Sequence, residues 1–352
     1  MSEPVTETRI PRALRRARPG ALPARQRGVA LLVAILLVAL GTLIAAALAY
    51  DNAMTARRTL AALNYDQALL VTEGMEAFAA YGLQQTYKND QTHTTYPAQA
   101  WGQPLGPLEI APGVTIEASL EDLEGRFNLN DLIEPDGVTP DRPAIVAFQR
   151  LLESVGLEPK WAEDVVNWID RNPSPPFPEA PSDTAYLEMD PPYHTPDLPI
   201  TSTSELLALP GFGRANFQKI APFISALPVN TPLNICSASP EVLNAVLGHR
   251  EYSDPKQFYK DRAAAGGCFP TLQEFSAAYT NTVPGGLSGG NGGFGGNARP
   301  VNFALPINTT SSWFRLSTFV SAGSTEFAFY SLLYRDPGNG MVRPILRSDT
   351  PN

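Results

Sequence analysis

Residues 29–50 read VALLVAILLVALGTLIAAALAY, a run of 22 positions without a charged side chain. At about 1.5 Å per residue, a helix of that length spans roughly 33 Å, the depth of a bilayer core. The alternative is a buried core helix, but no core helix needs so long a run without a polar contact or cap. An ordinary secretory signal fits poorly, since its apolar region is about 7–15 residues and ends in a small-residue cleavage site.

Charge is organised around this run. Residues 1–28 hold seven arginines (Arg9, Arg12, Arg15, Arg16, Arg18, Arg25 and Arg27) and two glutamates, a net charge of +5. The whole chain is at -9, so the part after Gly28 stands at -14. Arginines ahead of an apolar span favour a cytoplasmic N-terminus, which puts everything after Asp51 outside the cytoplasm. The acidic balance argues against nucleic acid as the main partner. With 352 residues, 43% of them hydrophobic, the chain can bury a real core and does not have the composition of a disordered protein.

Downstream, no proline occurs between Ala24 and Tyr96 in a chain that holds 34. That gap predicts one helix continuing past the membrane, about 60 residues and about 90 Å long. Leu63, Leu70, Met75, Phe78 and Tyr81 recur at roughly helical spacing and predict its buried face. Val114, Ile116, Ala118 and Leu120 alternate as a half-buried strand does. Residues 143–169 return to helical pattern, with Pro159 in a first turn and Trp161, Val165 and Trp168 on one face. Residues 173–199 are a proline-rich acidic loop. STSELLALPG (202–211) and SASPEVLNAVLG (237–248) look like two capped helix starts, a short internal echo of helix–hairpin units. Residues 285–299 are a glycine-rich loop. WFRLSTFVSAG and TEFAFYSLLYRD, joined at Gly323–Ser324, predict a hairpin, with MVRPILRS as a third strand. Helical material between two β regions is explained by a helical domain inserted into a sheet domain.

RQRGVALLVAILLVALGTL resembles a type IV pilin-like leader, in which a prepilin peptidase cuts after glycine. The cut implied here lies between Gly28 and Val29. EDLEGRFNLNDL, AEDVVNWID, DTAYLEMDPPYHTPDLPITSTSELLALPG and NICSASPEVL narrow the likeness to the K-type minor pseudopilins of type II secretion (GspK family), over nearly the whole chain. The resemblance implies an α+β fold: a long N-terminal transmembrane helix, a pilin-like α/β domain and a large inserted all-α domain. The expected segments are a leader (1–28), the membrane helix (29–50), helix and first strands (51–129), the helical insertion (130–284), the glycine-rich loop (285–299) and C-terminal strands (300–347). It also implies a tip-capping or initiating subunit of the periplasmic pseudopilus. Its partners would be I- and J-type minor pseudopilins, the major pseudopilin and prepilin peptidase, with no nucleic acid or small-molecule substrate, and an inner-membrane anchor. Pilins usually carry glutamate at the fifth mature position. Here that position is Val33, so the subunit need not dock as other pilins do, which matches the tip position that the resemblance implies.

No HExxH or GxSxG motif occurs, and the three histidines, His93, His194 and His249, have no metal-type partner at helical spacing. The expectation is a protein without enzymatic activity; an anchored enzyme is the competing class. Asp170, Asp183, Glu188 and Asp190 cluster around proline turns. Hard cations such as Ca²⁺ take six to eight oxygens, and the resemblance implies calcium in this insertion; the alternative is a solvated acidic loop. Cys236 and Cys268, an even pair in an extracytoplasmic domain, predict a disulfide, with two free thiols as the alternative. ELLALPGFGRANFQKI, with Arg214 and Lys219, admits a DNA-binding helix–hairpin–helix in a competence or type IV minor pilin, against which the net charge speaks.

Overall fold

The computed structural model describes residues 24–172, 176–247, 254–264, 266–268, 304–323 and 325–351. Most of the expected leader, the glycine-rich stretch 285–299, His249 and Ser324 lie outside the described residues. The chain divides into two units, Met1–Leu63 and Asn64–Asn352.

Helix α1 covers Ala24–Asn89 without a break. Leu and Ala dominate it, and both are strong helix formers. Its threonine hydroxyls are satisfied internally: Thr42 Oγ1 donates to the Ala39 carbonyl, and Thr55 Oγ1 to that of Asp51, each at 2.8 Å. Such back-bonding is what a bilayer demands of a polar atom. The span beginning at Gly28 is long and apolar enough to cross a membrane, and its apolar window buries nothing in this single chain.

In the second unit α1 packs on a sheet, but not through the face that the apolar periodicity predicts. The buried positions are Ala68, Thr72, Glu76 and Leu83, spaced by a turn or two. Leu70, Phe78 and Tyr81 are 68%, 60% and 61% exposed, Leu63 in the first unit is exposed too, and only Met75 is partly covered. The sheet supplies the bulk here, through Ile116, Val320 and Phe329, so small residues on the helix let the two layers approach.

Strand β1 (Leu105–Ala111) and β2 (Val114–Asp122) form a hairpin that turns at Gly113, whose φ of +75° favours glycine. Alternation identifies β2; β1 was hidden by Gly106 and Pro107, which interrupt its pattern. After β2 the chain enters the helical insertion. This holds β3 (Phe127–Asn128), α2 (Arg142–Ser154), α3 (Trp161–Ile169), α4 (Asp183–Leu187), α5 (Gly213–Ile220), β4 (Ile224–Ser225), β5 (Leu233–Asn234), α6 (Pro240–Leu247) and α7 (Pro255–Ala264). It closes with β6 (Ile307–Asn308), which pairs with β5. The sheet then resumes with β7 (Trp313–Ala322), β8 (Thr325–Arg335) and β9 (Val342–Ser348). Its order is β1-β2-β7-β8-β9, antiparallel throughout. The predicted hairpin turns at Gly323, and the third strand lies beside it.

The insertion has its own core, in which Phe127 and Phe148 stack at 5.1 Å and Trp161 meets Phe212 edge-on. Trp161, Val165 and Trp168 are all buried, as their spacing predicts, although α3 begins only after Pro159. This core takes in Phe127 and Leu305, beyond the 130–284 span expected from the sequence. Of the two capped starts, Ser202 and Glu205 form a full capping box on a 3-10 turn (Thr203–Ala208), and Ser239 Oγ accepts from the Val242 N–H ahead of α6. Cys236 and Cys268 are joined, with Cα atoms 4.9 Å apart.

Candidate assembly surface and processing junction

Gly28 and Val29 sit within α1, on helix that continues unbroken into the apolar span, and Val29 and Val33 are exposed. Further along, Leu70, Gly74, Phe78 and Tyr81 follow one another at steps of four, four and three residues. Side chains so spaced share one face of a helix. That face lies roughly opposite Ala68, Thr72 and Glu76, which meet the sheet. It is an apolar stripe that the chain's own core does not use, with Gly74 open at its centre.

The opposite face is fixed by a buried carboxylate. Glu76 accepts from Ser331 Oγ at 2.6 Å and from Arg347 Nε and Nη2 at 2.8 and 2.7 Å. This two-pronged pair ties β9 to α1.

The four carboxylates singled out in the acidic segment are not brought together. Among the described residues no three His, Cys, Asp or Glu side chains converge on one point. Asp183 is engaged with His194 Nδ1 at 2.9 Å and with the Thr195 N–H at 3.1 Å, and these bonds hold its carboxyl below the usual range. Glu188 and Asp190 point to solvent. Asp170 is different: it caps α3, is 2% exposed, and accepts from the Asn172 N–H with Oδ1 only. Its Oδ2 and the Asn167 Oδ1, one helical turn back, are buried acceptors without a hydrogen-bond partner. Burial pushes the Asp170 carboxyl up, and the charges of Asp197 and Asp136 push it the same way.

His93 stacks on Tyr87 at 4.0 Å and His194 lies on the surface with Asp183. In the 203–224 hairpin, Arg214 is exposed and Lys219 Nζ reaches the Gly156 carbonyl at 3.5 Å. Periodicity and motif reading passed over the buried polar residues. Asn130 is one: its amide donates to the carbonyls of Ile200 and Leu227, and its Oδ1 accepts from the Ile200 N–H at 2.7 Å. The signal was present in EDLEGRFNLND, where polar residues sit among apolar ones with no clean period of two or of 3.6.

A sequence model described as "Type II secretion system (T2SS), protein K" matches residues 125–229. Proteins named "Type II secretion system protein K" are similar along much of their length. The Pseudomonas aeruginosa protein is 31% identical, over 63% of this chain and 68% of its own. For Klebsiella pneumoniae the figures are 32%, 69% and 77%; for Pectobacterium carotovorum, 31%, 88% and 93%. A crystal structure of the GspK-GspI-GspJ complex from enterotoxigenic Escherichia coli contains a chain of the same fold, with TM-score 0.61 and 21% identity, over 83% of this chain and 98% of that one. The membrane-length helix, the sheet behind it, the inserted helical core and these likenesses together mean that this chain belongs to the type II secretion system protein K family and is a minor pseudopilin of that system.

Proposed function

We propose that this minor pseudopilin caps or initiates the periplasmic pseudopilus. It is anchored in the inner membrane by α1, once prepilin peptidase has removed residues 1–28. The observation that carries this reading is the stripe of Leu70, Gly74, Phe78 and Tyr81 on α1, apolar and turned away from the chain's own sheet. A helix face of that kind is covered by another helix, here one from an I- or J-type minor pseudopilin, with the major pseudopilin following below. The solved relative is titled as a complex with GspI and GspJ. Val33 in place of the pilin glutamate supports the tip position, since no carboxylate waits in the bilayer for a neighbouring subunit's amine. The protein acts by assembly, not by catalysis.

The test is co-purification. Leu70→Asp with Phe78→Asp is expected to abolish recovery of the I- and J-type subunits and to leave the thermal midpoint unchanged. Undiminished recovery would overturn the reading. N-terminal sequencing of the membrane form is expected to begin at Val29.

Calcium binding is carried forward at Asp170, with Asn167, and not at Asp183, Glu188 or Asp190. Two buried acceptor oxygens without donors suit a hard cation. Calorimetry with Ca²⁺ is expected to give heat that Asp170→Asn removes; absence of heat from the native chain would end the idea. A DNA-binding minor pilin is not favoured: Arg214 and Lys219, five residues apart on α5, lie on different faces of the helix, and the exported part is acidic.

A further inference from the structure

The chain passes between sheet and insertion twice, and both passages run through one buried polar site. On the way out, Asp122 ends β2 and Glu124 follows in a 3-10 turn, Leu123–Gly125. On the way back, Ser311 and Ser312 lead into β7. Asp122 Oδ2 accepts from Asn234 Nδ2 at 2.9 Å, Ser237 Oγ at 2.5 Å and Ser311 Oγ at 2.6 Å, and its Oδ1 accepts from the Glu124 N–H at 2.9 Å. Glu124 Oε1 accepts from the N–H groups of Ser312 at 2.6 Å and Trp313 at 3.0 Å. Both acids are buried, and so is Arg335. Arg335 touches neither acid: its Nη2 donates to the Ser311 carbonyl and to Thr95 Oγ1, each at 2.6 Å.

Other charged and titratable groups surround the site. Glu121 is paired with Arg126 and with Arg315. Tyr87 lies against Arg335, with ring centroid and guanidinium 5.5 Å apart, and His93 stacks on Tyr87. Within the site itself, the charges of Arg335 and Arg126 both act on Asp122, and that of Arg335 on Glu124. Asp122 has four donors that favour its charged form, and Glu124 has two on a single oxygen. Burial nevertheless pushes both carboxyls up, and a proton held here belongs to the pair.

We propose that Asp122 and Glu124 form a proton-operated latch that holds the helical insertion against the sheet, closed while the pair holds its proton and loosened when it is lost. Burial first, then the Asp122 charge, raises Glu124 from 4.5 to about 8. A carboxyl raised in the fold contributes stability that is fully present below its unfolded value. That stability falls away as pH climbs from about 4.5 to about 8 and is level above. Each pH unit in that window changes the opening equilibrium by up to about tenfold.

Hydrogen exchange on the full chain in detergent tests this, followed from about pH 5 to about pH 9 and corrected for intrinsic rates. The amides of Glu124, Ser312 and Trp313 are expected to lose protection by up to about tenfold per unit until about pH 8 and then to level off. Glu124→Gln with Asp122→Asn, which keeps an accepting oxygen on each side chain, is expected to give a flat profile, and His93→Gln to retain the slope. A flat native profile, a slope that survives in the double variant, or a slope lost in His93→Gln would each overturn the latch. If the double variant does not fold, the native and His93→Gln profiles decide.

Discussion

Glu76 shows how much one residue settles in this fold. It is a carboxylate on a helix face otherwise made of Ala, Thr and Leu, and it is tolerated because Ser331 and Arg347 satisfy both oxygens. Glu76→Ala leaves the buried Ser331 hydroxyl unpaired, although Arg347 remains half-exposed to water. The expected loss is about 1–3 kcal/mol, read as a fall in thermal midpoint of several degrees. Asp131 gives a pH-dependent counterpart. Burial raises it from 3.8 to about 7, so its stabilisation is full below its unfolded value and is lost as pH rises towards 7. Asp131→Asn is expected to flatten the pH dependence of chemical stability between about pH 4 and about pH 7. Neither residue was legible in the sequence. A carboxylate inside an apolar period looks like an exposed position until its partner is known, and Arg347 lies far along the chain from Glu76.

At the scale of the element, α1 was legible as a helix and misleading as a surface. The proline gap and the uncharged run gave its extent, but Leu63, Leu70, Phe78 and Tyr81 looked like core and are exposed. Periodicity reports that a face is apolar, not whether the chain or its neighbour covers it. β7 was legible because it alternates along its whole length and β8 because it does so from Phe329 on; β1, with Gly106 and Pro107 near its start, does not. The insertion's helices α2 and α3 were legible from helical periodicity and, in α3, from the spacing of Trp161, Val165 and Trp168. The site at its root was not, because its members come from stretches remote in sequence. The bond between Cys236 and Cys268 closes a loop of 32 residues. By loop entropy, reduction is expected to cost the insertion about 3–4 kcal/mol, seen as earlier denaturant unfolding of α6 with the sheet unaffected.

For the whole molecule, topology and charge tell one story. The arginines precede the membrane span, and the acidic remainder follows it. If the leader is removed at Gly28, the working protein carries the full acidity of the exported part, which disfavours nucleic acid on any broad surface. Weakening of subunit co-purification by high salt would contradict an apolar helix stripe as its main basis, since apolar contacts are not screened.

The register between β2 and β7 has a consequence for how such a chain is built. Asp122 pairs with Phe314 and Val114 with Ala322 in continuous antiparallel register, so the two strands that flank the insertion are already direct neighbours. Their facing ends need only a tight turn to be joined. The insertion is thus a cargo mounted on a hairpin rather than a part of the sheet. Replacing the residues between β2 and β7 with a short Asn-Gly turn is expected to leave a folded five-stranded domain on α1, with β-sheet circular dichroism and the same stripe. A subunit of this design can exchange what it carries at its tip without altering the scaffold that carries it.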